Sequence, residues 1–139
     1  MTPADLVHRF YAEIWNRQSE EAAREVLAED FRFRGSLGPE RQGVDGFLEY
    51  VHSVHAAIAD YVCIIDDLIE GPGRAAARMR FRGIHQAEFF GVAATGKQIE
   101  WAGAAFFTME GARIEALWVL GDVDSVRRQL GVVAEARFD

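Results

Sequence analysis

The sequence is poor in the cysteines that stabilise secreted proteins and in the long apolar runs that cross membranes. Cys63 is the only cysteine among 139 residues, so no intrachain disulfide can form, and its place in the apolar run YVCIIDDLI favours a buried, inert thiol. No run approaches the roughly 18 apolar residues of a membrane span, and no basic leader followed by an apolar segment opens the chain. We therefore expect a cytoplasmic protein with no membrane partner.

Positive charge is scarce as well. Lys and Arg total 15 against 22 Asp and Glu, which gives a net charge of -7. Because an acidic chain is repelled by a phosphate backbone, we expect no nucleic-acid partner. The motifs of covalent nucleophilic and nucleotide-dependent enzymes are also absent, since the sequence has no G-x-S-x-G, Walker loop, Rossmann glycine signature or cysteine pair.

Helical patterns occupy the first part of the chain. A length of 139 residues with 50% hydrophobic content suits one core, so we predict a single domain over residues 1–139. Thr2 and Pro3 suit a helix start, and apolar residues at helical spacing predict a first helix to about Asn16. Ser19 can cap a second helix, and a third is predicted from about Asp45. Between the second and third helices, FRFRG predicts a strand and SLGPERQG a loop.

Strand patterns fill the second part. Four runs are typical of strands: YVCIIDDLIEG, RAAARMRFRGIHQ, KQIEWAGAAFFTMEG and ARIEALWVLGD. The breaks EGPGR and MEGAR predict antiparallel hairpins, and the last helix, DVDSVRRQL, can take Asp122 or Asp124 as its N-cap. Helices followed by a long antiparallel sheet indicate an α+β fold, and a curved sheet wrapped around helices leaves a pocket.

Side-chain alternation sorts the strands into an inner and an outer face. In RAAARMRFRGIH, His85 shares the apolar face with Phe81. In RIEALWVLGD, Asp122 shares the apolar face with Trp118. We therefore expect His85 and Asp122 to be the polar pair of an otherwise apolar pocket, able to supply base and acid to a carbonyl compound. Two structural alternatives stay open: His85 as a satisfied core residue and Asp122 as a simple helix cap.

Two other sets of polar residues are explained without a binding site. Arg78, Arg80 and Arg82 share the outer face of their strand, where they are either solvated or part of an interface. His52 and His55 lie three residues apart on the third predicted helix, but no acid accompanies them on the same face. We therefore predict no metal site.

The stretch GIHQAEFFGVAATGKQIEW resembles the signature of the SnoaL-like polyketide cyclases, a branch of the NTF2-like superfamily, which runs roughly G-T-H-x-G-x-F-x-G-x-x-P-T-G-K before a strand. The matching residues are Gly83, His85, Phe89, Gly91, Thr95, Gly96 and Lys97. The opening VHRFYAEIWNRQSEEAAREVLAEDF resembles the helical hairpin of the family. The segment IEALWVLGDVDSVRRQLG resembles its closing strand, with Trp118 and Asp122 at a W-x-x-x-D motif.

This resemblance implies a cone-shaped, curved antiparallel sheet around three N-terminal helices, with an apolar internal pocket. It also implies no metal or organic cofactor and a homodimer through the outer face of the sheet. Characterised members close a ring by intramolecular aldol condensation, using an aspartate on the strand after the T-G-K turn. Here that strand carries Ile99, Glu100 and Trp101, and alternation turns Glu100 away from the interior.

We therefore predict a cofactor-free lyase or isomerase that removes a proton next to the carbonyl of a small apolar or aromatic compound. Its predicted catalytic residues are His85 and Asp122. The predicted substrate-binding residues are Tyr11, Trp15, Phe33, Phe47, Trp101 and Trp118. The alternatives are a non-catalytic carrier of a small molecule, which needs only the pocket, and an epoxide hydrolase-type enzyme with carboxylate-activated water.

Overall fold

The computed structural model of the chain describes residues 1–36 and 40–132, and it has the predicted α+β fold, with helices packed on a curved, open sheet. The predicted loop SLGPERQG spans residues 36–43, of which 37–39 lie outside the described ranges. Residues 133–139 lie outside them too, so the single domain over residues 1–139 stays a prediction.

Four α-helices form in the described ranges, and each predicted helix is among them. Their bounds are α1 Pro3–Arg9, α2 Glu20–Val26, α3 Val44–Ala57 and α4 Val123–Gln129, and a π-helical segment, Phe10–Trp15, continues α1. The Thr2 hydroxyl accepts a hydrogen bond from the Asp5 N–H, while the Asp5 carboxylate accepts one from the Thr2 N–H. This reciprocal cap and the Ser19 cap of α2 fix both helix starts where the sequence predicts them.

Six strands within the described ranges form the sheet. They are β1 Leu27–Arg34, β2 Arg41–Gln42, β3 Ile58–Gly71, β4 Arg74–His85, β5 Gln98–Glu110 and β6 Arg113–Gly121. The spatial order is β2-β1-β6-β5-β4-β3, and β3 to β6 make the predicted antiparallel meander. The other edge differs from the prediction in two ways. Strand β1 runs parallel to β6, so the sheet is mixed. Within the predicted loop, Arg41 pairs with Phe33, which makes β2 a short strand.

Strand β4 alternates without a break over its whole length. His85 and Phe81 are buried, and Arg78 and Arg82 are exposed on the opposite face, with the half-buried Arg80 between them. The predicted outward direction of these arginines is confirmed. Each β4 residue from Arg74 to Ile84 pairs in unbroken register with β5, which preserves the two-residue period.

Strand β6 carries an irregularity that the sequence pattern does not reveal. Its partners Thr108 and Met109 are adjacent in β5, but they pair with residues 116 and 114, which leaves Glu115 as an extra residue in a β-bulge. A one-residue shift turns every later side chain to the other face. Trp118 and Leu120 are 43% and 54% exposed as a result, so the predicted inner face of β6 is wrong after the bulge.

A second bulge lies near the start of β3. Asp60 adopts a left-handed backbone conformation with φ 54, and Asp60 and Tyr61 together stand opposite the single residue Gly83. The two strands approach closely here, because a Cβ atom on Gly83 would collide with Ile58 Cγ2 and would lie 2.8 Å from the Ala59 carbonyl oxygen. The bulge turns the Tyr61 side chain into the interior, where it is 6% exposed.

The outer edge of β3 is held by the residue that follows the π-helical segment. Asn16 Nδ2 donates to the Cys63 carbonyl oxygen at 3.2 Å, and the Cys63 N–H donates to Asn16 Oδ1 at 2.8 Å. One side-chain amide thus satisfies both backbone groups of an edge-strand residue.

The core lies between the helices and the inner face of the sheet. Phe47 of α3 occupies its centre, with ring centroids of Phe10, Phe31 and Phe33 at 5.5, 5.2 and 4.9 Å from its own. Edge-to-face contacts among such rings add to the free energy of burial.

A candidate ligand-binding pocket

A small cavity lies between the helical layer and the sheet. Its wall consists of Tyr11, Trp15, Phe33, Gly35, Ser36, Tyr50, Val54, Tyr61, Phe81, Trp101, Val119 and Gly121. The volume is about 40 Å³, which is room for about three waters at ~10–15 Å³ each. A ligand larger than that has to displace side chains of the wall.

Two irregular backbone segments contribute aromatic side chains to the cavity wall. Tyr11 and Trp15 come from the π-helical segment, and Tyr61 comes from the β3 bulge. Phe81 packs against Gly103 of β5, where a Cβ atom would collide with its ring. π-helical turns and bulges are the devices that redirect side chains next to functional sites.

Three tyrosines bring hydroxyl groups to the wall. Tyr11, Tyr50 and Tyr61 are 3%, 8% and 6% exposed, and their hydroxyls form no hydrogen bond with any described residue. Burial raises the pKa of Tyr11 and Tyr61 well above the ordinary value of 10.0, with the nearby Cys63 adding to the effect. Burial also raises the pKa of Tyr50, against the opposing charge of Arg41. The hydroxyls therefore stay protonated and can donate hydrogen bonds to a ligand.

The described wall holds no ionisable acid or base other than these tyrosines. None of its twelve residues is Asp, Glu, His, Lys or Arg. Hydroxyl and indole groups in an apolar wall favour a neutral ligand that carries oxygen acceptors, because a charged ligand would be desolvated without a counter-charge.

His85 is fully buried at the end of β4, but it is not part of the cavity wall. The Thr95 N–H donates to His85 Nδ1 at 3.2 Å, and Thr95 Oγ1 lies 2.8 Å from the same nitrogen. Since Nδ1 accepts, the proton of the neutral ring is on Nε2. Among the described residues, Nε2 is the one polar side-chain atom that is both sealed from solvent and unpaired.

His85 also fixes the loop that follows β4. Its N–H donates to the Lys97 carbonyl oxygen, and its carbonyl oxygen accepts from the Gly96 N–H, both at 2.9 Å. Its ring centroid lies 6.5 Å from that of Phe89, which in turn lies 6.4 Å from the ring of Trp101 in the cavity wall. One layer of aromatic side chains therefore separates the His85 ring from the cavity.

The predicted pocket aromatics divide into those that reach the cavity and those that do not. Tyr11, Trp15, Phe33 and Trp101 line it. The other two need correction. Trp118 lies on the outer face, reversed by the Glu115 bulge, and Phe47 is fully buried behind the wall as the central ring of the core.

Asp122 does not join His85 in the pocket. Its side chain is exposed and accepts a hydrogen bond from the Ser125 N–H at 3.0 Å, which makes it the N-cap of α4. The prediction that Asp122 points inward is therefore corrected, because the bulge changes the phase of the strand before it. Glu100 faces outward, as alternation predicts, 3.5 Å from Arg80.

Sequence reasoning missed several wall residues. Tyr50 and Phe81 follow the predicted helical and strand patterns, so periodicity could have placed them on the wall. Tyr61 could not be placed, because it depends on the left-handed conformation of Asp60. Strict alternation with Trp118 would turn Val119 and Gly121 outward, and the Glu115 bulge instead places them on the wall.

The family is shown by comparison with known sequences. The model of the SnoaL-like polyketide cyclase domain matches residues 5–130, which is nearly the whole chain. The chain belongs to the SnoaL-like polyketide cyclase family. No curated protein of known function matches it.

Solved structures show the same fold. IdmH from Streptomyces antibioticus, a proposed polyketide cyclase, superposes with a TM-score of 0.84 at 26% identity over 95% of this chain and 100% of IdmH. A proposed polyketide cyclase from Acidithiobacillus ferrooxidans gives 0.82 at 25% identity over 94% of each chain. A protein of ketosteroid isomerase-like fold from Catenulispora acidiphila gives 0.79 at 17% identity over 99% of each, and this third likeness bears on the fold alone.

In the described ranges, no helix combines the length and apolar character needed to cross a membrane.

Proposed function

We propose that this SnoaL-like protein is a cofactor-free enzyme of the polyketide cyclase type, a lyase or isomerase that acts on a small, neutral, apolar or aromatic carbonyl compound. The observation that carries the proposal is the hydrogen-bond character of the wall, where buried, protonated tyrosine hydroxyls meet a cavity without charged groups. A hydroxyl that donates to the substrate carbonyl stabilises the negative charge that develops on oxygen when the neighbouring C–H proton leaves.

The chemistry that this wall supports is activation of the carbonyl rather than general-base catalysis by a carboxylate. Donors held in a dry, apolar site interact more strongly with a developing oxyanion than water does, and they need no reorganisation. The proton leaves the α-carbon for water or for a group of the substrate itself, and the electron pair of the C–H bond moves into the enolate. The enolate oxygen then accepts hydrogen bonds from neutral donors of the cavity wall.

In this proposal His85 acts as a hydrogen-bond donor. A buried donor without a partner costs about 1–3 kcal/mol. A ligand oxygen that moves the Phe89 layer aside and reaches Nε2 would remove that cost, so the unpaired atom supports a role of His85 in holding ligand. Asp122 has no part in this arrangement, since its carboxylate already caps α4.

The test is a deuterium-exchange assay, which requires no knowledge of the natural product. Small ketones such as 1-tetralone and 2-tetralone are first screened for binding by protein NMR, and the loss of their α-proton signals in D₂O is then followed. We expect bound ketones to exchange about a hundredfold faster than in buffer, within the range of a preorganised hydrogen-bond donor to an oxyanion. Tyr61→Phe and His85→Leu should each slow the exchange about tenfold.

Asp122→Asn is the matched control, because asparagine also caps helices. It should leave both binding and exchange unchanged. If no ketone binds, or if Tyr61→Phe and His85→Leu exchange at the wild-type rate, the enzymatic proposal fails.

The second candidate is a non-catalytic carrier of the same class of ligand. It is favoured by the lack of any carboxylate or imidazole in the described wall, since a carrier needs only the pocket. Ketone binding without accelerated exchange would select the carrier. The epoxide hydrolase alternative receives no support, because the described wall offers no carboxylate to activate water.

We also propose that the protein forms a homodimer through the outer face of the sheet. Phe106, Trp118 and Leu120 expose 57%, 43% and 54% of their surface there, and the Arg34 guanidinium stacks on Trp118 at 4.9 Å. Exposed aromatic residues beside arginines are typical of protein interfaces.

Light scattering should report a dimer at micromolar concentration. Trp118→Glu should convert it to a monomer, whereas Glu49→Gln on the exposed side of α3 should not, and a monomeric wild-type protein would contradict the proposal.

A further inference from the structure

Three glycines of the central strands face the interior, and they differ in what occupies the space beside them. At Gly83 that space is filled by Ile58 and by the Ala59 carbonyl group. At Gly103 it is filled by the Phe81 ring. Both glycines are therefore required by close packing, since any side chain would collide with atoms within 3.0 Å.

Gly121 has no such packing reason. The nearest atoms to a Cβ placed there are Trp101 Nε1 at 3.5 Å, Trp101 Cδ1 at 3.6 Å and Ser36 Oγ at 3.8 Å, which are ordinary contact distances. The residue is also absent from the glycines with positive φ, so its backbone does not need glycine either. One role of glycine in a strand is to let a ligand approach the backbone closely.

The space left beside Gly121, bounded by Trp101 Nε1 and Ser36 Oγ, is part of the cavity wall, and we call it the Gly121 notch. The indole N–H of Trp101, a residue only 5% exposed, donates to no acceptor in the described part of the chain. Indole N–H groups almost always find a partner when they are buried. A water or a ligand oxygen that enters the notch can therefore accept a hydrogen bond from this donor.

Ser36 offers a second donor to the same space. Its Oγ accepts a short hydrogen bond of 2.6 Å from the Gly121 N–H, which fixes the position of the oxygen. Its own proton points to the Val119 carbonyl oxygen at 3.3 Å, a long distance for an O–H···O bond. The hydroxyl can therefore turn toward a ligand oxygen with little loss.

We propose that the Gly121 notch is the binding site for the carbonyl oxygen of the ligand, held by Trp101 Nε1–H and Ser36 Oγ–H, and that Gly121 keeps this site open. Trp101 Nε1 and Ser36 Oγ lie 3.5 and 3.8 Å from the position that a Cβ atom of Gly121 would take, so the two donors converge on the space beside Gly121. The inference rests on the proposed function, because it concerns how that pocket orients its ligand. It assigns Gly121 and Trp101 as positioning residues that select compounds with an oxygen at one end.

The test compares two probes that differ only in the oxygen, acetophenone and ethylbenzene, by two-dimensional ¹⁵N–¹H NMR. The three tryptophans give three indole N–H signals, and Trp101→Phe identifies the one that belongs to Trp101. We expect acetophenone to shift the Trp101 indole signal and to bind at least fivefold more tightly than ethylbenzene. Gly121→Ala should fill the notch and abolish this preference without unfolding the protein.

Gly46→Ala is the matched control, because Gly46 lies in α3 with nothing within 4 Å of its Cβ position and needs no positive φ. It should keep the preference for acetophenone. If acetophenone shifts backbone amides of the pocket but not the Trp101 indole, the notch is wrong while the proposed pocket stands. An unchanged preference in Gly121→Ala would also overturn the notch, and an absence of any shift with either probe at millimolar concentration would overturn the pocket and the notch together.

Discussion

Strand β4 places its side chains as its alternating sequence predicts, whereas β6, in which residues 116–120 are all apolar, does not. In β4 the period of two holds from Arg74 to His85, and every predicted inner residue is buried. In β6 the pattern holds only to Glu115, where the bulge reverses it. Alternation in the sequence predicts that neighbouring side chains point to opposite faces of the sheet. Whether this holds along a whole strand depends on an unbroken register with the next strand.

The largest expected difference in stability between the two strand patterns is that between two tryptophan substitutions. Trp101 is 5% exposed and Trp118 is 43% exposed, although both are predicted inward from sequence. Trp101→Ala should lower the free energy of unfolding by about 3–5 kcal/mol through loss of buried surface and a residual cavity. Trp118→Ala should lower it by less than about 1 kcal/mol. Urea denaturation at protein concentrations where the monomer dominates measures both, and equal losses would mean that β6 does not carry the bulge.

The inward glycines of the same two strands give the next largest effect. Gly83→Ala forces a methyl group against Ile58 and a backbone oxygen, so we expect it to destabilise the fold by about 1–3 kcal/mol. Gly121→Ala meets only ordinary contacts and should change stability by no more than about 0.5 kcal/mol. The comparison of their thermal midpoints would contradict this view if Gly121→Ala were the more damaging change.

The tyrosines of the wall extend the comparison to alkaline pH. The pKa of Tyr11 and Tyr61 is raised in the folded protein, so their contribution to stability is complete below the unfolded pKa of about 10 and is lost as pH rises above it. For each tyrosine, the free energy of unfolding should fall by up to about 1.4 kcal/mol for every pH unit above that value. Stability curves recorded between pH 8 and 11 should fall more gently for Tyr61→Phe than for the wild type, and parallel curves would refute the prediction.

The end of β6 gives the smallest effect. Asp122→Ala should remove the cap of α4 and lower stability by about 1 kcal/mol, whereas Asp122→Asn should retain most of it. Neither change should alter ketone binding, because the Asp122 side chain lies outside the pocket. Calorimetry and the NMR titration together check this, and a selective loss of ligand affinity in Asp122→Asn would restore the role that alternation predicts.

Much of the fold follows from local sequence. Thr2 and Ser19 mark their helix starts, and the β3 to β6 meander follows from glycine-rich turns between alternating runs. The parallel pairing of β1 with β6 does not follow, because it depends on contacts between residues more than 80 positions apart. Short-range patterns hold no information about such pairs.

The candidate site was less predictable than the fold, for a physical reason. Trp101 follows the alternation of β5, and Tyr11 and Trp15 follow the helical period, so these residues could be placed. Tyr61 and Gly121 owe their positions to bulges, which add one residue to a strand without a mark in the apolar runs beside them. Bulges concentrate where a strand must redirect side chains, so errors of this kind are expected at the functional end of the sheet.

The contact between Asn16 and Cys63 has a consequence for solubility. Strand β3 is an outermost strand of the sheet, and an open edge of that length presents unpaired N–H and C=O groups on which another chain can add a strand. The Asn16 side chain occupies one donor and one acceptor near the middle of that edge. A strand from another chain would have to displace the Asn16 side chain before it could form hydrogen bonds with Cys63. This single amide therefore protects the edge strand against edge-to-edge aggregation.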